Sequence, residues 1–441
     1  MRLGRFLLFV SLAFLPPAAA RAQALNLRDL LTDFLREGIT LAPPASGVSH
    51  VAHFIGVDSP QFLALQQFSA GLATQLSSFP LASSAGGFTY RFDPGLGVFT
   101  RTADSFGPIY AERAATIGKG KFNIGLNYSH FSFDQIDGVS LRDGEVNLVF
   151  THQDVNFDAS NLLPHVEGDV ITAQLFLKIE TDITAFVLSY GVSDRFDIGV
   201  AVPLVAVDLE ARMNAGVRRL ATGETSNIHT FTRGGTEDTL RQSGTASGVG
   251  DVVLRGKLQA VRGARGGLAL AADLRLPTGE ERDLLGAGAT QVKGSIVGSV
   301  RLGPFSPHLN AAYTWSAHGP QDQEIADEIS AVAGFDWAIH PRMTLAADVI
   351  GRSFRDSQTV KVEDTTFQFN TNPAGIPIMQ DSRVLPRLIA REENSNAFLG
   401  SLGLKINPFG SLLLTVNGLF SLNDEGLQDD FAPLIALDYS F

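Results

Sequence analysis

Apolar and polar residues alternate along most of the chain with a period of two, from about residue 87 to the C-terminus. In the segment 252–260, one valine, two leucines and an alanine occupy one face, while Arg255 and Lys257 occupy the other. This period predicts β-strands with one apolar face, because successive side chains of a strand point to opposite sides. The pattern continues from Ile435 to Phe441, so the last predicted strand runs to the final residue of the sequence.

Short and long connections alternate between the predicted strands. The connection at 191–195 is a tight turn, the next is a long loop rich in Gly, Thr and Ser, and the longest predicted loop spans residues 352–394. This alternation is typical of outer-membrane barrels, which have short periplasmic turns and long extracellular loops. We therefore predict an all-β membrane protein, in which residues 87–441 form an antiparallel transmembrane β-barrel of about 14 strands, with about 12 as the alternative.

The strand count depends on three segments. The higher count includes strands within residues 88–102 and within GPIYAERAAT, residues 107–116. Residues 144–155 also have strand character, but they break the up-and-down parity of the barrel unless residues 172–190 are divided into two strands. We assign them to an extracellular hairpin. Without the early strands the count falls to about 12, and an even number is normal for such a barrel.

Aromatic residues fall near the ends of the predicted strands. Two girdles of aromatic side chains, one at each interface, are expected of a membrane barrel but not of a soluble β-sandwich. The candidates at the periplasmic ends are Phe122, Phe196, Trp337, Tyr439 and Phe441, and those at the outer ends are Tyr313, Trp315, Phe398 and Phe420.

The first 86 residues have a different pattern. Residues 1–22 have a basic start, a short apolar stretch and an Ala-Arg-Ala site, which together predict a cleaved signal peptide. Residues 23–86 contain two amphipathic helical stripes, Leu27 to Leu35 and Phe62 to Leu76. Because such stripes need an apolar partner, this N-terminal helical segment is predicted either to plug the lumen or to pack at the periplasmic mouth.

Composition narrows the compartment and the partners. The chain has no cysteine and a net charge of −12. An exported chain without disulfides depends on a large sheet or core, and an acidic chain without a basic run argues against a nucleic acid partner. We predict that the protein resides in the outer membrane of a Gram-negative-type envelope. The expected partners are membrane lipid, the barrel-assembly machinery through the C-terminal strand, and small hydrophobic solutes.

No catalytic, cofactor-binding or metal-binding residue is predicted. The chain lacks the common nucleotide-binding, metalloprotease and serine-hydrolase motifs, and His50 and His53 have no neighbouring carboxylate to complete a metal site. A lipid hydrolase is a less favoured alternative, since His130 is close to Ser129 and Ser132 near the outer end of a strand. A working Ser–His pair normally comes from different strands, so we predict that the protein is not an enzyme.

Charged residues on three consecutive predicted strands lie opposite the leucines and therefore face the lumen. They either pair with one another to fill the lumen or form a basic strip that guides anionic solutes. The candidate lumen-lining residues are Arg255, Lys257, Asp273, Arg275, Lys293 and Arg301.

The segment 248–315 resembles the MetA-pathway phenol-degradation family of outer-membrane transporter-like β-barrel proteins. The matching features are a G-D-V-x-L strand start at 250–254, Leu-Pro-Thr-Gly at 276–279 before an acidic loop, and a glycine-rich return at Gly286 and Gly288. The resemblance implies an outer-membrane channel in which small hydrophobic or aromatic compounds diffuse passively through a partly plugged barrel. A structural or adhesive barrel without transport is the alternative.

Overall fold

The chain forms a closed antiparallel β-barrel. The computed structural model describes residues 26–42, 64–68, 71–72, 75, 87–93, 95, 98–151, 169–219, 229–319, 324–371 and 379–441. The predicted signal peptide, residues 1–22, lies outside these residues. The barrel closes between its first and last strands, where the N–H of Phe122 donates to the carbonyl of Phe441 and the N–H of Phe441 donates to the carbonyl of Phe122. Closure leaves no unpaired edge in the ring of membrane-spanning strands, as a sheet that spans a membrane requires.

The elements have the following bounds in chain order. They are α1 Leu27–Gly38, β1 Tyr90–Asp93, β2 Val98–Arg101, β3 Phe122–Phe133, β4 Gln135–Ile136, β5 Val139–Ser140, β6 Val146–Thr151, β7 Asp169–Gly191, β8 Phe196–Arg219, β9 Glu237–Val249, β10 Val252–Arg262, β11 Gly266–Leu276, a 3-10 turn Glu281–Asp283, β12 Gln291–Val300, β13 Phe305–Ser316, β14 Asp327–His340, β15 Met343–Thr371, β16 Met379–Ile406, β17 Leu412–Ser421, β18 Leu427–Gln428 and β19 Ala432–Ser440. Residues 64–68, 71–72 and 75 are also helical.

The closed ring has 12 strands, which is the smaller of the two predicted numbers. The main sheet has 14 strands. Two of them, β6 and β9, pair only with the extracellular parts of β7 and β8 and continue the lines of β3 and β10. The remaining 12 strands follow the order β7, β3, β19, β17, β16, β15, β14, β13, β12, β11, β10, β8 and return to β7.

The early segments differ from the expectation, which was wrong for both. Residues 90–101 form a separate two-stranded sheet, β1 with β2, rather than barrel strands. Residues 107–116 are not a strand at all, because their backbone bonds to inward-facing side chains instead of to a neighbouring strand, for example at Tyr110 and Asp348. Within residues 144–155, β6 pairs antiparallel with β7, as an extracellular hairpin does.

The two longest predicted loops contain long strands. β8 runs on to Arg219 and pairs with β9 over residues that were predicted to be loop. β15 and β16 likewise pair across the segment 352–394, for example at Thr359 and Arg391. These strands project beyond the membrane, so their outward side chains are polar and lack the lipid-facing apolar stripe that reveals the other strands.

The two faces of the long strands exchange character at the membrane surface. In β7, Phe186 and Leu188 point outward and are 50% and 43% exposed, as lipid-facing residues are. Nearer the extracellular end the outward residues are Lys178 and Glu180, which form an ion pair, while the inward Ile179 is fully buried. Charge on a lipid-facing position is costly, so the outer membrane boundary lies between these two groups.

Beyond that boundary the long strands enclose an apolar core, called the cap below. Val149 of β6, Val170 of β7 and Phe367 of β15 pack together and join the two long hairpins. Leu27 and Leu30 of α1 lie against Gly244 on the inward face of β9, where glycine leaves space for them. No helix in the described part of the chain is long and apolar enough to span a membrane.

All nine predicted girdle aromatics are exposed on the barrel surface. At the end that carries the short turns, the ring of Phe122 lies 5.5 Å from that of Phe441 and 4.5 Å from that of Tyr190. At the other end, the hydroxyl of Tyr313 donates to the carboxylate of Asp327. The role of these residues as membrane anchors remains a prediction.

Because the two faces exchange character, a new charge on the outer face should destabilise the protein strongly within the membrane and only slightly beyond it. Ile296 of β12 is 58% exposed in the lipid-facing band, so Ile296→Arg should lower the free energy of unfolding by about 2–4 kcal/mol. Gln174→Arg introduces the same charge on the outward face of β7 above the membrane and should change it by less than about 0.5 kcal/mol. Urea unfolding in phospholipid vesicles measures both variants, and equal destabilisation would contradict the placement of the boundary.

Candidate functional site

A segment of extended chain crosses the barrel lumen between β2 and β3. This lumen segment comprises residues 102–118, and its residues 105–114 are all buried. Its two ends are tied to β1, since the N–H of Thr102 donates to the carbonyl of Thr89 and the N–H of Tyr90 donates to the carbonyl of Ile117. Both ends of the lumen segment are therefore fixed at one end of the barrel, and its middle spans the lumen.

Inward-facing side chains of the barrel form hydrogen bonds with the backbone of the lumen segment. Asp348 of β15 accepts from the N–H groups of Ile109, at 3.3 Å, and Tyr110, at 2.9 Å. Asn310 of β13 accepts from the N–H of Glu112 at 2.6 Å and donates to its carbonyl at 3.2 Å. Further bonds of the same kind join Phe106 to Thr344, Ala114 to Ser299 and Ile117 to Asp197. Each supplies a partner that a buried backbone group needs.

Glu112 of the lumen segment makes ion pairs with two of the predicted lumen residues. Its Oε1 lies 2.5 Å from Nη1 of Arg255, and its Oε2 lies 3.5 Å from Nζ of Lys257. Arg255 also makes a two-point contact with Asp273, with N–O distances of 2.6 and 2.7 Å. Bidentate guanidinium–carboxylate contacts are strong and directional, so this network fixes the position of Glu112.

The next residue, Arg113, belongs to a second network. Its Nη2 donates to the carbonyl of Ser105 at 2.9 Å and lies 3.6 Å from Oδ2 of Asp336 on β14. Asp336 also accepts from Nε2 of His308 on β13. Although Arg113 is only 5% exposed, its Nη1 has no hydrogen-bond partner, and neither does Nδ1 of His308.

A cavity of about 170 Å³, called the upper cavity, lies on the extracellular side of the lumen segment. Tyr110 and Glu112 contribute to its wall together with inward residues of strands β7, β8 and β10 to β15. The wall combines apolar side chains such as Val187, Val253 and Ile350 with charged ones. Arg352 and Glu328 form a two-point ion pair there, at 2.8 and 2.9 Å.

A cavity of about 120 Å³, called the lower cavity, lies on the periplasmic side. It is lined by Arg113 and Thr116 of the lumen segment, by residues of β1, by residues 102–103 after β2, and by the short turns after β7, β10 and β12. Both cavities touch residues of the lumen segment, so this segment separates them.

The structure places the six predicted lumen residues at different points of the barrel interior. Arg255, Asp273, Arg275 and Lys293 line the upper cavity, and Arg301 lines the lower one. Lys257 is 3% exposed and lies beneath Glu112. Arg255, Lys257 and Asp273 therefore belong to one ion-pair network with Glu112. Whether these six residues act on a passing solute remains a prediction.

Sequence reasoning did not identify Glu112, Arg113 or Asp348 as functional residues. The first two were assigned to a barrel strand, because IYAERAAT alternates in a way that suits one. A signal for the lumen crossing was present at Gly107 and Pro108: glycine at φ 82° and a proline without an N–H both disfavour a strand that pairs on two sides.

The candidate catalytic group is not assembled as a nucleophile and a base. Nδ1 of His130 lies 2.9 Å from Asp182, whereas Oγ of Ser132 accepts from Arg142 at 2.8 Å. Within the described ranges no hydrogen bond joins His130 to Ser129 or Ser132. Among the same residues no cluster of three or more His, Asp or Glu side chains could hold a metal ion. His50 and His53 lie outside them.

Residues 165–348 match the family model described as "Putative MetA-pathway of phenol degradation". The resemblance to that family is confirmed. The matched residues run from just before β7 into β15 and include Arg255, Asp273, Asn310, Asp336 and Asp348. The family segment thus supplies much of the inner wall against which the lumen segment lies. No curated protein matches the chain.

Solved structures of other outer-membrane barrels are similar in outline. The COG4313 outer membrane channel from Pseudomonas putida F1 is 13% identical with a TM-score of 0.41, over 74% of this chain and 98% of that one. A FadL homologue from Pseudomonas aeruginosa is 13% identical with a TM-score of 0.32, over 81% and 96% of the two chains. The toluene transporter TbuX from Ralstonia pickettii is 11% identical with a TM-score of 0.29, over 83% and 99%. At these TM-scores the likeness carries no argument about activity.

The bonds from Asp348 predict a local effect of its removal. In Asp348→Ala, the N–H groups of Ile109 and Tyr110 lose a charged acceptor, and each such bond contributes about 1.5–3 kcal/mol. Hydrogen–deuterium exchange of residues 109–110 should become at least about tenfold faster, since local opening costs less. Asp348→Asn keeps an acceptor oxygen, so its exchange rate at residues 109–110 should lie between those of the unmodified protein and the alanine variant. Unchanged exchange in the alanine variant would show that these bonds do not hold the segment.

Proposed function

We propose that the protein is an outer-membrane channel for small hydrophobic or aromatic solutes, which diffuse passively when the lumen segment moves aside. The observation that carries this proposal is the lumen segment itself, which divides the barrel interior into two cavities. A barrel that served only as a scaffold or an adhesin has no need of a cavity on each side of a removable barrier.

The way the lumen segment is held favours its movement. Residues 105–114 bond to side chains such as Asp348 and Asn310, whereas the wall around them is held by continuous strand pairing. A bond to a neutral side chain contributes about 0.5–1.5 kcal/mol net and a bond to a carboxylate about 1.5–3 kcal/mol, because water can replace the lost partner. The segment can therefore open locally while the wall remains intact.

The linings favour solutes with an apolar body and one polar group. The cap interior is apolar, with Leu175 and Leu177 of β7 and Val207 and Leu209 of β8 fully buried. The upper cavity below it combines valines with ion pairs. Small-molecule sites are typically apolar with a few placed polar groups, and the family description names phenol degradation. A single aromatic ring with a polar substituent suits both the volume and the lining.

Locking the lumen segment should stop transport. The chain has no cysteine, and the backbone N of Ala114 in the lumen segment lies 3.1 Å from Oγ of Ser299 on β12. Ala114→Cys with Ser299→Cys therefore introduces a single thiol pair that can join the lumen segment to the barrel wall. Oxidation should lower uptake of radiolabelled phenol by intact cells, and the open probability in planar bilayers, by at least about tenfold, the minimum expected of a segment held covalently in place. Reduction should restore both.

The two single-cysteine variants are the controls for that experiment, since neither can form the bond. Each should transport like the unmodified protein in oxidising and reducing conditions. Undiminished flux through the oxidised double variant, with the disulfide verified by mass spectrometry, would remove the lumen segment from the path and the proposed mechanism with it.

The N-terminal helical segment is proposed to act as a plug at the extracellular side. Leu27 and Leu30 contact β9 from within, and Oε1 of Gln75 accepts from the N–H of Leu427 in the extracellular part of the chain. Phe68 and Leu72 are buried in the same apolar core as Leu30. These contacts support a plug in the cap rather than helices at the periplasmic mouth.

Removal of that plug should open the cap. Deletion of residues 24–80 should leave the barrel assembled, because those of the deleted residues that the structure describes contribute no strand to the ring. It should raise single-channel conductance in planar bilayers, since the apolar core loses α1 and the residues around Phe68. Heat-modifiable migration on gels reports assembly independently. An assembled deletion variant with unchanged conductance would place the helices outside the path.

A further inference from the structure

Arginines converge on the lower cavity with few carboxylates to balance them. Four guanidinium groups line it, from Arg91, Arg113, Arg262 and Arg301. Among the described residues that line it, Asp194 contributes the one carboxylate. The upper cavity differs, because there Glu112, Asp273 and Glu328 pair with the cations.

The hydrogen bonds of Arg262 and Arg301 go to neutral oxygens and leave the positive charge of these two guanidinium groups uncompensated. Arg301 donates to the carbonyls of Ala264, at 2.9 Å, and Thr102. Arg262 donates to the side-chain oxygen of Gln259 at 2.6 Å and to the carbonyl of Asp194. Neutral oxygens of this kind position a guanidinium without cancelling its charge. Within the described part of the chain, Arg91 makes no hydrogen bond or ion pair through its guanidinium.

Arg113 supplies the second observation that points to a ligand. It is 5% exposed, it lines the lower cavity, and its Nη1 has no hydrogen-bond partner. A buried N–H of a guanidinium without a partner is costly unless something occupies the space beside it. Its carboxylate neighbour, Asp336, lies 3.6 Å from the other nitrogen, Nη2.

From these contacts we infer that the lower cavity binds the carboxylate group of a small organic acid, an aromatic acid in particular. Guanidinium groups match the geometry of a carboxylate and bind it with paired hydrogen bonds. The volume of about 120 Å³ admits only a compact molecule. The ring of Tyr90 lines the same cavity and stacks near Phe88, with ring centroids 6.3 Å apart, which gives an aromatic body a surface to contact.

The inference deepens the proposed function, because it names aromatic carboxylates as a class of solute that the channel holds at its periplasmic mouth. A site with excess positive charge on this side of the lumen segment attracts an anion from either direction and lowers the chance that it returns through the barrier. The binding site itself does not depend on transport, so the two can be tested separately.

The test measures binding to the full-length protein in detergent, with benzoate as the probe and isothermal titration calorimetry as the method. Benzoate should bind saturably, and its affinity should fall as sodium chloride is raised, because salt screens the attraction. Benzamide has the same ring and a similar shape without the charge, and should show no saturable binding. Benzamide binding as tight as that of benzoate would overturn the inference.

Substitutions then locate the site. Arg91→Gln removes a guanidinium that holds none of the other described residues, and should weaken benzoate binding roughly threefold, as expected for a partly exposed ion pair. Arg91→Gln combined with Arg262→Gln should weaken it roughly tenfold. Arg241→Gln, on the outward face of β9 at the extracellular end, makes the same charge change far from the cavity and should leave the affinity unaltered.

Two results would count against the site. An unchanged affinity in the double variant would place benzoate elsewhere, and an equal loss in Arg241→Gln would reduce the effect to overall charge. Transport is distinguishable from binding: a disulfide lock that fails to block uptake removes the proposed channel mechanism but leaves the calorimetric result intact. Loss of benzoate binding with the lock still effective removes the site and keeps the channel.

Discussion

An extended chain that crosses a barrel must find a hydrogen-bond partner for each buried backbone group, and the rest of this structure follows from that requirement. The lumen segment has no neighbouring strand at residues 105–114, so the wall supplies side chains instead. Asp348, Asn310, Ser299 and Thr344 point inward from three strands, β15, β13 and β12, and each accepts from a backbone N–H. The polar inner face of this barrel thus serves as a partner for protein backbone, in contrast with an open porin, whose polar lumen is filled by water.

The surrounding lipid imposes the complementary constraint on the outer face. Within the membrane the strands are apolar outward and polar inward, as Leu188 and Ser189 illustrate in β7. Beyond the membrane, water replaces lipid outside, and the same strands bury Leu177 and Ile179 inward while Lys178 and Glu180 pair outside. The long strands β7 and β8 therefore contribute to two interiors of opposite character, a polar lumen around residues 105–114 and an apolar cap around α1. The boundary between them lies at the outer surface of the membrane.

These constraints explain how much of the structure the sequence reveals. The period of two and the lipid-facing leucines predict the membrane strands β10 to β14 correctly, because lipid on one face leaves a clear apolar stripe. β9 and the extensions of β8, β15 and β16 beyond the membrane were assigned to loops, since residues such as Thr359 and Arg391 carry no such stripe where water covers the outer face. Residues 107–116 were mistaken for a strand because their partners are side chains distant in sequence, such as Asn310, and no local pattern encodes that pairing. Arg255 and Asp273 could be assigned to the lumen from alternation, whereas their link to Glu112 depends on the crossing.

The order of residues in the lumen segment determines how it can open. Glu112 and Arg113 are adjacent, yet they join different networks: Glu112 binds Arg255 beside the upper cavity, and Arg113 lies beside Asp336 next to the lower one. Leaving one member of a buried ion pair alone costs about 3–5 kcal/mol, so neither network can be broken by itself without a large penalty. The segment can avoid this penalty in two ways. It can move together with its ion-pair partners, or ions and water can enter on both sides and solvate the separated charges. The two cavities provide room for water at these positions. Opening of the barrier is therefore coupled to hydration of the cavities on either side of it.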